Sequence, residues 1–361
     1  MGEEAVTPDF LKYYAGKRVF LTGHTGFKGA WLSLWLKQLG ADVTGYALAS
    51  SRDGLFATGR IAEGMTSIEG DVRDRRELAA ALRKSDPEII IHMAAQSLVR
   101  PSYDDPVGTM STNVIGTANL LDSARALERL ASIVVVTSDK CYENDGAEHA
   151  FSETSAMGGA DPYSASKGCT EIVASSFARS FYAETQCTVA TARAGNVIGG
   201  GDWSVDRIIP DLMRTTQTLE PVVVRRPDSV RPWQHVLEPL RGYLMLAHRG
   251  ATEGDAFSGG WNFGPHYDDA VPVRLVVEGV RKLWPRVAAS FATHIEGPHE
   301  AAMLRLDCSK ADERLDWRSV LNLDSGLEMT VAWYRETFGA PETGARIASR
   351  QIAEYQNLLS N

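Results

Sequence analysis

Short, continuous apolar runs alternate with amphipathic stretches along the first half of the chain. Residues 17–22 (Lys-Arg-Val-Phe-Leu-Thr) predict a buried strand, and a glycine-rich turn follows. The stretch 28–39 predicts an amphipathic helix, which Gly40 ends before a second strand at 42–48. Ile89-Ile90-Ile91 and Ile133-Val134-Val135-Val136 are apolar without alternation. That is the pattern of parallel strands covered on both faces. Helical patterns fall near 75–84 and 107–127, and residues 187–194 predict a further strand. Strand alternating with helix predicts an α/β fold, a Rossmann-type doubly wound parallel sheet.

After about residue 195 the alternation weakens. Gly199-Gly200-Gly201 and the prolines at 210, 221, 227, 232 and 239 cut the chain into shorter pieces. Two regions are expected: 1–194, and a smaller mixed α/β region over 195–361 that covers a ligand. Stretches near 236–264 are expected to return to the first region.

With 361 residues the chain can bury a large core and needs no disulfide or metal staple. Cys141, Cys169, Cys187 and Cys308 form no CxxC pair and no metal-ligand spacing with His, so no metal is expected and the thiols read as reduced. Glu3, Glu4 and Asp9 oppose a leader pattern, and no apolar run approaches the roughly 18–20 residues of a membrane span. A cytoplasmic protein without membrane contact is expected. The net charge of −9 argues against a nucleic-acid partner. It leaves room for a small anionic ligand, which needs only a few local donors.

Thr22-Gly23-His24-Thr25-Gly26-Phe27-Lys28-Gly29 follows a strand and opens a helix. Glycine permits the tight turn and the close approach of a pyrophosphate to backbone N–H groups at a helix start. Gly23, Thr25, Gly26, Phe27, Lys28 and Gly29 are therefore candidate dinucleotide contacts, and 1–194 the dinucleotide-binding region. Asp71 and Val72 follow a predicted strand, where Asp71 could bond an adenine amino group. Ala94, Ala95 and Gln96 end the strand of Ile89–Ile91, and Asn113 stands on the next helix. The second strand ends without Asp or Glu, and Ser50-Ser51-Arg52 follow, so NAD is the expected cofactor with NADP left open.

Tyr163 and Lys167 are spaced i, i+4, which puts them on one helix face. A nearby ammonium favours a phenolate, which can take a proton from a sugar hydroxyl while hydride leaves the same carbon. Ser138, Asp139 and Lys140 end a predicted parallel strand, where ligands bind. Ser138 can bond the hydroxyl being oxidised. Asp139 can serve as an acid, and Lys140 as a base or an orienting cation. Asn196, Gly201, Asp202, Trp203, Arg207 and Arg231 are candidate substrate contacts, with Arg suited to a diphosphate. His235 and Trp261 read as core.

Eight segments carry a resemblance. They are Gly-His-Thr-Gly-Phe-Lys-Gly at 23–29, His-Met-Ala-Ala-Gln at 92–96, Thr-Ser-Asp-Lys-Cys-Tyr at 137–142 and Asp-Pro-Tyr-Ser-Ala-Ser-Lys-Gly at 161–168. The others are 193–203, which contains Gly-Gly-Gly-Asp-Trp, then Arg-Pro-Trp-Gln-His-Val at 231–236, Trp-Asn-Phe-Gly-Pro at 261–265 and Leu-Asp-Cys-Ser-Lys at 306–310. The chain resembles the extended short-chain dehydrogenase/reductases, and within them the sugar-nucleotide 4,6-dehydratases, most closely the CDP-glucose branch. The resemblance implies a nucleotide-sugar substrate and an internal redox cycle. C4 is oxidised by NAD, water leaves across C5 and C6, and hydride returns to C6. Tyr163 would be the C4-hydroxyl base, helped by Lys167 and Ser138. Asp139 would protonate the departing C6 hydroxyl. Arg193 joins the implied cofactor contacts, and Gln96 and Ser138 the substrate contacts. Many relatives place Glu where Lys140 stands and use it on the C5 proton; the CDP-glucose branch has Lys, which leaves the C5 base open.

The resemblance also implies a homodimer or homotetramer and a place in deoxysugar and O-antigen biosynthesis. Helices 107–127 and 162–183 would pair the subunits, with Ala174, Phe177, Ala178 and Phe181 facing either a partner or the core. The alternatives are a GDP-mannose- or dTDP-glucose-type dehydratase, an epimerase, or a non-catalytic dinucleotide sensor. A simple 4-epimerase needs no elimination acid, and a sensor could dispense with Tyr163 or Lys167.

Overall fold

The computed structural model describes residues 8–144, 146, 149–218, 220–292 and 303–360. Glu3 and Glu4 lie outside them. Twelve strands are described, labelled in chain order. They are β1 (Arg18–Thr22), β2 (Asp42–Ala47), β3 (Thr66–Glu69), β4 (Ile89–His92), β5 (Ser132–Val136) and β6 (Thr188–Ala194), then β7 (Asn196–Ile198), β8 (Val222–Val224), β9 (Val230–His235), β10 (Gly259–Phe263), β11 (Ala270–Pro272) and β12 (Ala289–Phe291).

Seven strands form one parallel sheet in the order β10-β6-β5-β4-β1-β2-β3. The strand order reverses between β1 and β4, which opens a crevice beyond their C-terminal ends. Each central strand feeds two cores in alternation. Val19, Leu21, Ile89, Ile91 and Val134 pack on one face, while Phe20, Ile90, Ile133 and Val135 pack on the other. Both faces are covered, so the strands read as unbroken apolar runs. The first face carries the helices Phe27–Gln38 and Leu237–Glu253; the second carries Arg75–Ser85, Gly116–Ala124 and Pro162–Phe177.

Late segments cross back to this sheet. Helix Leu237–Glu253 packs on β4, β5 and β6, and β10 then pairs parallel with β6, Trp261 opposite Ala192. The last helix, Gly344–Leu358, lies against Phe27–Gln38. Two small sheets, β11-β9-β7 and β12-β8, build the cap over the crevice. The cap meets the sheet layer closely: Trp31 Nε1 donates to the Gly200 carbonyl at 2.8 Å, and a Cβ on Gly200 would meet the Trp333 ring at 2.0 Å.

The two helices expected at 107–127 and 162–183 are interrupted. The first runs Pro106–Met110, then a π turn over Ser111–Ile115, then Gly116–Ala124; the second passes into a π turn at Ala178–Tyr182. Within the first π turn the Asn113 carbonyl accepts the hydroxyls of Thr117 at 2.7 Å and Thr170 at 3.0 Å. A π turn frees a carbonyl for such partners. Ala174 is buried in the second core and Phe177 and Ala178 pack against it, so that face of the helix is spent internally.

Candidate active site

A cavity of about 650 Å³ occupies the crevice, bounded by the C-terminal ends of β1, β2, β4, β5 and β6 and by the cap. Its size suits small-molecule ligands.

The glycine turn forms one wall. Gly23 has φ +74°, and a Cβ there would come within 2.8 Å of the Ala94 backbone. A Cβ on Gly29 would stand 2.1 Å from the Gly23 carbonyl, so the helix can approach the strand only with glycine. Gly26 caps the helix Phe27–Gln38, is exposed, and among the described residues no side chain caps the first-turn N–H groups. Those groups are donors for an anion. Thr25, Phe27 and Lys28 line the cavity beside them. Lys28 Nζ faces the Tyr243 hydroxyl at 3.4 Å, and desolvation, with Lys167 and Arg207 nearby, pulls its ammonium down to about 7.

Asp71 and Val72 line the same cavity, as do Ala94 and Ala95. Arg73 Nε donates to Asp71 Oδ2 at 2.8 Å, and this bond holds the Asp71 carboxyl below its ordinary range. Ala47 ends β2 at the wall and Leu48 follows it, neither of them an acid. The uncapped helix start, the glycine cradle and the small residues at Ala94–Ala95 fit a dinucleotide such as NAD.

Beyond β5, Ser138 caps the short turn Asp139–Cys141. Ser138 Oγ donates to Asp139 Oδ1 at 2.9 Å. Asp139 is buried, and among the described residues its Oδ2 has no partner. Desolvation raises its carboxyl above the usual range, with Lys140, Ser138, Arg231 and Lys28 opposing. Asp161 and Pro162 start the helix that carries Tyr163 and Lys167, Asp161 Oδ1 accepting from Ser164 N at 2.9 Å. Burial pushes the Tyr163 phenol up to about 12, against a Ser138 hydrogen bond and the Arg207 charge. Lys167 Nζ donates to the Val136 carbonyl at 3.2 Å, and desolvation pulls it down to about 8, against Glu171 and Cys141. Lys140 lines the cavity beside them.

At the cap end stand Asn196, Asp202, Arg207 and Arg231. Arg207 Nη1 binds Asp202 Oδ2 at 3.0 Å and Nη2 donates to Ser97 Oγ at 3.3 Å. Three further arginines line this end and were not anticipated: Arg100, Arg225 and Arg226. The Arg225-Arg226 doublet directly after the apolar run Val222–Val224 was the available signal.

Five expected contacts lie off the cavity lining. The Gln96 amide is spent on its own loop: Oε1 accepts from Leu98 N at 2.6 Å, and Nε2 donates to the Leu98 carbonyl and Thr109 Oγ1. Asn113 is buried and ties the Gln96 backbone to Ser166 Oγ. Arg193 lies beneath the sheet end, its guanidinium bound to Glu171 and Tyr142 rather than to a ligand. Gly201 makes a turn at φ +79° against Leu55, and Trp203 stacks edge-on to Tyr334. His235 and Trp261 are core residues.

The family model for GDP-mannose 4,6 dehydratase matches residues 20–330. A CDP-glucose 4,6-dehydratase of Salmonella typhimurium is 46% identical over 351 residues, spanning 96% of this chain and 98% of that protein. Among solved structures, MoeE5 in complex with UDP-glucose and NAD is 26% identical with a TM-score of 0.74, over 89% of this chain and 99% of that one. A dTDP-glucose 4,6-dehydratase of Streptomyces venezuelae with NAD and TYD bound shares the fold, with a TM-score of 0.75 at 24% identity over 89% of this chain and 98% of that one. With the glycine turn, the Tyr163–Lys167 pair and the Ser138–Asp139–Lys140 turn on one cavity, the chain belongs to the GDP-mannose 4,6-dehydratase family of extended short-chain dehydrogenase/reductases.

Proposed function

We propose that this protein is an NAD-dependent hydro-lyase that converts CDP-glucose to CDP-4-keto-6-deoxyglucose and water. The observation that carries the reading is Asp139: a buried carboxyl with one unpartnered oxygen, its proton favoured by burial, on the same cavity as Tyr163. An elimination needs such an acid; a simple epimerisation does not. The choice of nucleotide rests on the 46% identity to the Salmonella enzyme.

When bound, NAD would supply the acceptor and then the donor of hydride, and its oxidised form would bring positive charge into the site. The helix start at Gly26 would hold the cofactor diphosphate, and Lys167, on the same cavity, would hold its ribose. Tyr163 takes the C4-hydroxyl proton while Ser138 holds that oxygen, and the C4–H bond breaks to leave a ketone. The ketone acidifies C5. The C5 proton leaves toward Lys140, which lines the same cavity. Asp139 gives its proton to the C6 hydroxyl as the C6–O bond breaks and water leaves, and the product forms as C6 gains the hydride first taken from C4 and C5 regains a proton. Arg207 and Arg231, with Arg100, Arg225 and Arg226, hold the substrate diphosphate and nucleotide. Asp202 orients Arg207.

The working unit is read as a cytoplasmic homodimer. Val107, Ile115, Ile172 and Phe181 are 78%, 53%, 61% and 43% exposed along the two interrupted helices, apolar surface that a second copy would cover.

Incubation with CDP-, dTDP-, UDP- and GDP-sugars plus NAD, read by mass spectrometry, tests the reading. Loss of water from CDP-glucose alone is expected. Loss of water from another nucleotide sugar and not from CDP-glucose would overturn the substrate; epimerisation without water loss would overturn the reaction.

A further inference from the structure

One buried ion pair holds both ends of the segment that carries Ser138, Asp139 and Lys140. Glu171 stands one helical turn beyond Lys167, and Arg193 stands on β6; both side chains are 5% exposed. Arg193 Nη2 donates to Glu171 Oε2 at 2.7 Å. Glu171 also accepts from Thr137 Oγ1 and, at 2.6 Å, from Thr191 Oγ1. Thr137 immediately precedes Ser138. At the other end, Arg193 Nη1 donates to the Tyr142 hydroxyl at 2.7 Å, and Tyr142 follows the last residue of the Asp139–Cys141 turn. The Tyr142 hydroxyl in turn donates to Asn262 Oδ1 at 2.7 Å. Asn262 is itself anchored, its Nδ2 donating to the carbonyls of Phe151 and Asp307 at 2.9 Å each.

Neither member of the pair lines the cavity. Burying two charges is expensive, and apolar residues of like volume often stabilise a core at least as well. Apolar residues could not, however, hold a hydroxyl before the turn and another after it on one rigid plane.

We propose that the Arg193–Glu171 pair is a positioning clamp for residues 137–142, setting where the Asp139 carboxyl and the Ser138 hydroxyl stand relative to Tyr163. The clamp has an electrostatic side. Glu171 favours the Lys167 ammonium against the desolvation that pulls it down to about 8. Cys141 on the turn, His92 on β4, Lys28 on the glycine-turn helix and Val136 on β5 are the other groups facing Lys167.

The inference rests on the dehydratase reading, and the test separates the two. Full-length Tyr142→Phe and Glu171→Gln are compared with wild type in turnover of CDP-glucose with NAD across pH, and in hydrogen exchange of the protein without substrate. Tyr142→Phe removes one tether and no charge. Its kcat should fall about tenfold with KM within about twofold, since small misplacements cost rate more than binding. Its alkaline limb should stay in place, and exchange over 137–142 should rise. Glu171→Gln should lower kcat as well, and should move the alkaline limb to lower pH, because Lys167 loses the neighbour that favours its charge.

Glu171→Gln leaves Arg193 buried without its partner. If that variant does not fold, the double variant Glu171→Gln/Arg193→Met carries the same pH readout. A purely structural pair would lower the melting temperature and leave the alkaline limb alone. Wild-type kcat and exchange in Tyr142→Phe, or an unmoved alkaline limb in the charge variants, would overturn the clamp. Wild-type protein that dehydrates none of the CDP-, dTDP-, UDP- and GDP-sugars would overturn the dehydratase reading, with the exchange result still deciding the clamp.

Discussion

Burial pushes Asp139 and Tyr163 in the same direction, with opposite consequences. A raised carboxyl keeps its proton and suits an acid. A phenol raised to about 12 needs added positive charge before it can act as a base. Tyr163→Phe is therefore expected to lower turnover by about 10²–10⁴-fold while nucleotide affinity, measured by calorimetry, stays close to wild type. Near-normal dehydration by that variant would remove Tyr163 from the base role. Asp139→Asn should still oxidise C4 but stall at elimination, so the absorbance of reduced nicotinamide builds up. Complete turnover at the wild-type rate would exclude Asp139 as the acid. Three buried histidines set a stability limit of their own. Burial lowers His92 and His235 from 6.5 to about 3 and His24 to about 4. Their neutral forms are folded in, so this stability is full above 6.5 and is lost as pH falls towards 3 to 4, at about 1.4 kcal/mol per histidine per pH unit. The melting temperature should drop steeply between about pH 6 and pH 4; a flat profile would contradict the assignment.

Among the elements, the glycine turn is the most legible in advance, because its constraint is local. Gly29→Ala would drive a methyl group to 2.1 Å from the Gly23 carbonyl. That change should abolish measurable NAD binding and lower the melting temperature, even though Ala is a better helix former. Wild-type NAD affinity in Gly29→Ala would show that the close approach is dispensable. The strands are equally legible, since Ile89–Ile91 and Ile133–Val136 face apolar cores on both sides. The π turns are not. Their register depends on the Asn113 carbonyl meeting the Thr170 hydroxyl of a helix more than fifty residues later, a partner no local pattern announces. The same holds for Gln96, whose amide closes its own loop instead of facing a ligand.

For the whole molecule, the glycine-turn wall and the cap are joined by contacts from distant parts of the chain. Trp31 reaches Gly200, and β10 completes the sheet beside β6. The apolar stripe of Val107, Ile115 and Ile172 remains outside that internal packing. Ile172→Asp should convert a homodimer to monomers in sedimentation analysis without loss of secondary structure. An oligomer unchanged by Ile172→Asp would place the interface elsewhere. The helix face that carries Ala174 cannot serve this purpose, because the second core already covers it.

By itself, the sequence determined the local chemistry of this protein. A glycine at each close approach, an i, i+4 Tyr–Lys pair and unbroken apolar strands follow from sterics and periodicity within a few residues. Tertiary structure alone decided what each polar side chain is spent on. Arg193 is taken by Glu171 and Tyr142, while Arg100, Arg225 and Arg226 line the cavity. An arginine's role depends on which acid or ligand lies within reach, and that is set by the packing of strands and cap, not by its neighbours in the chain.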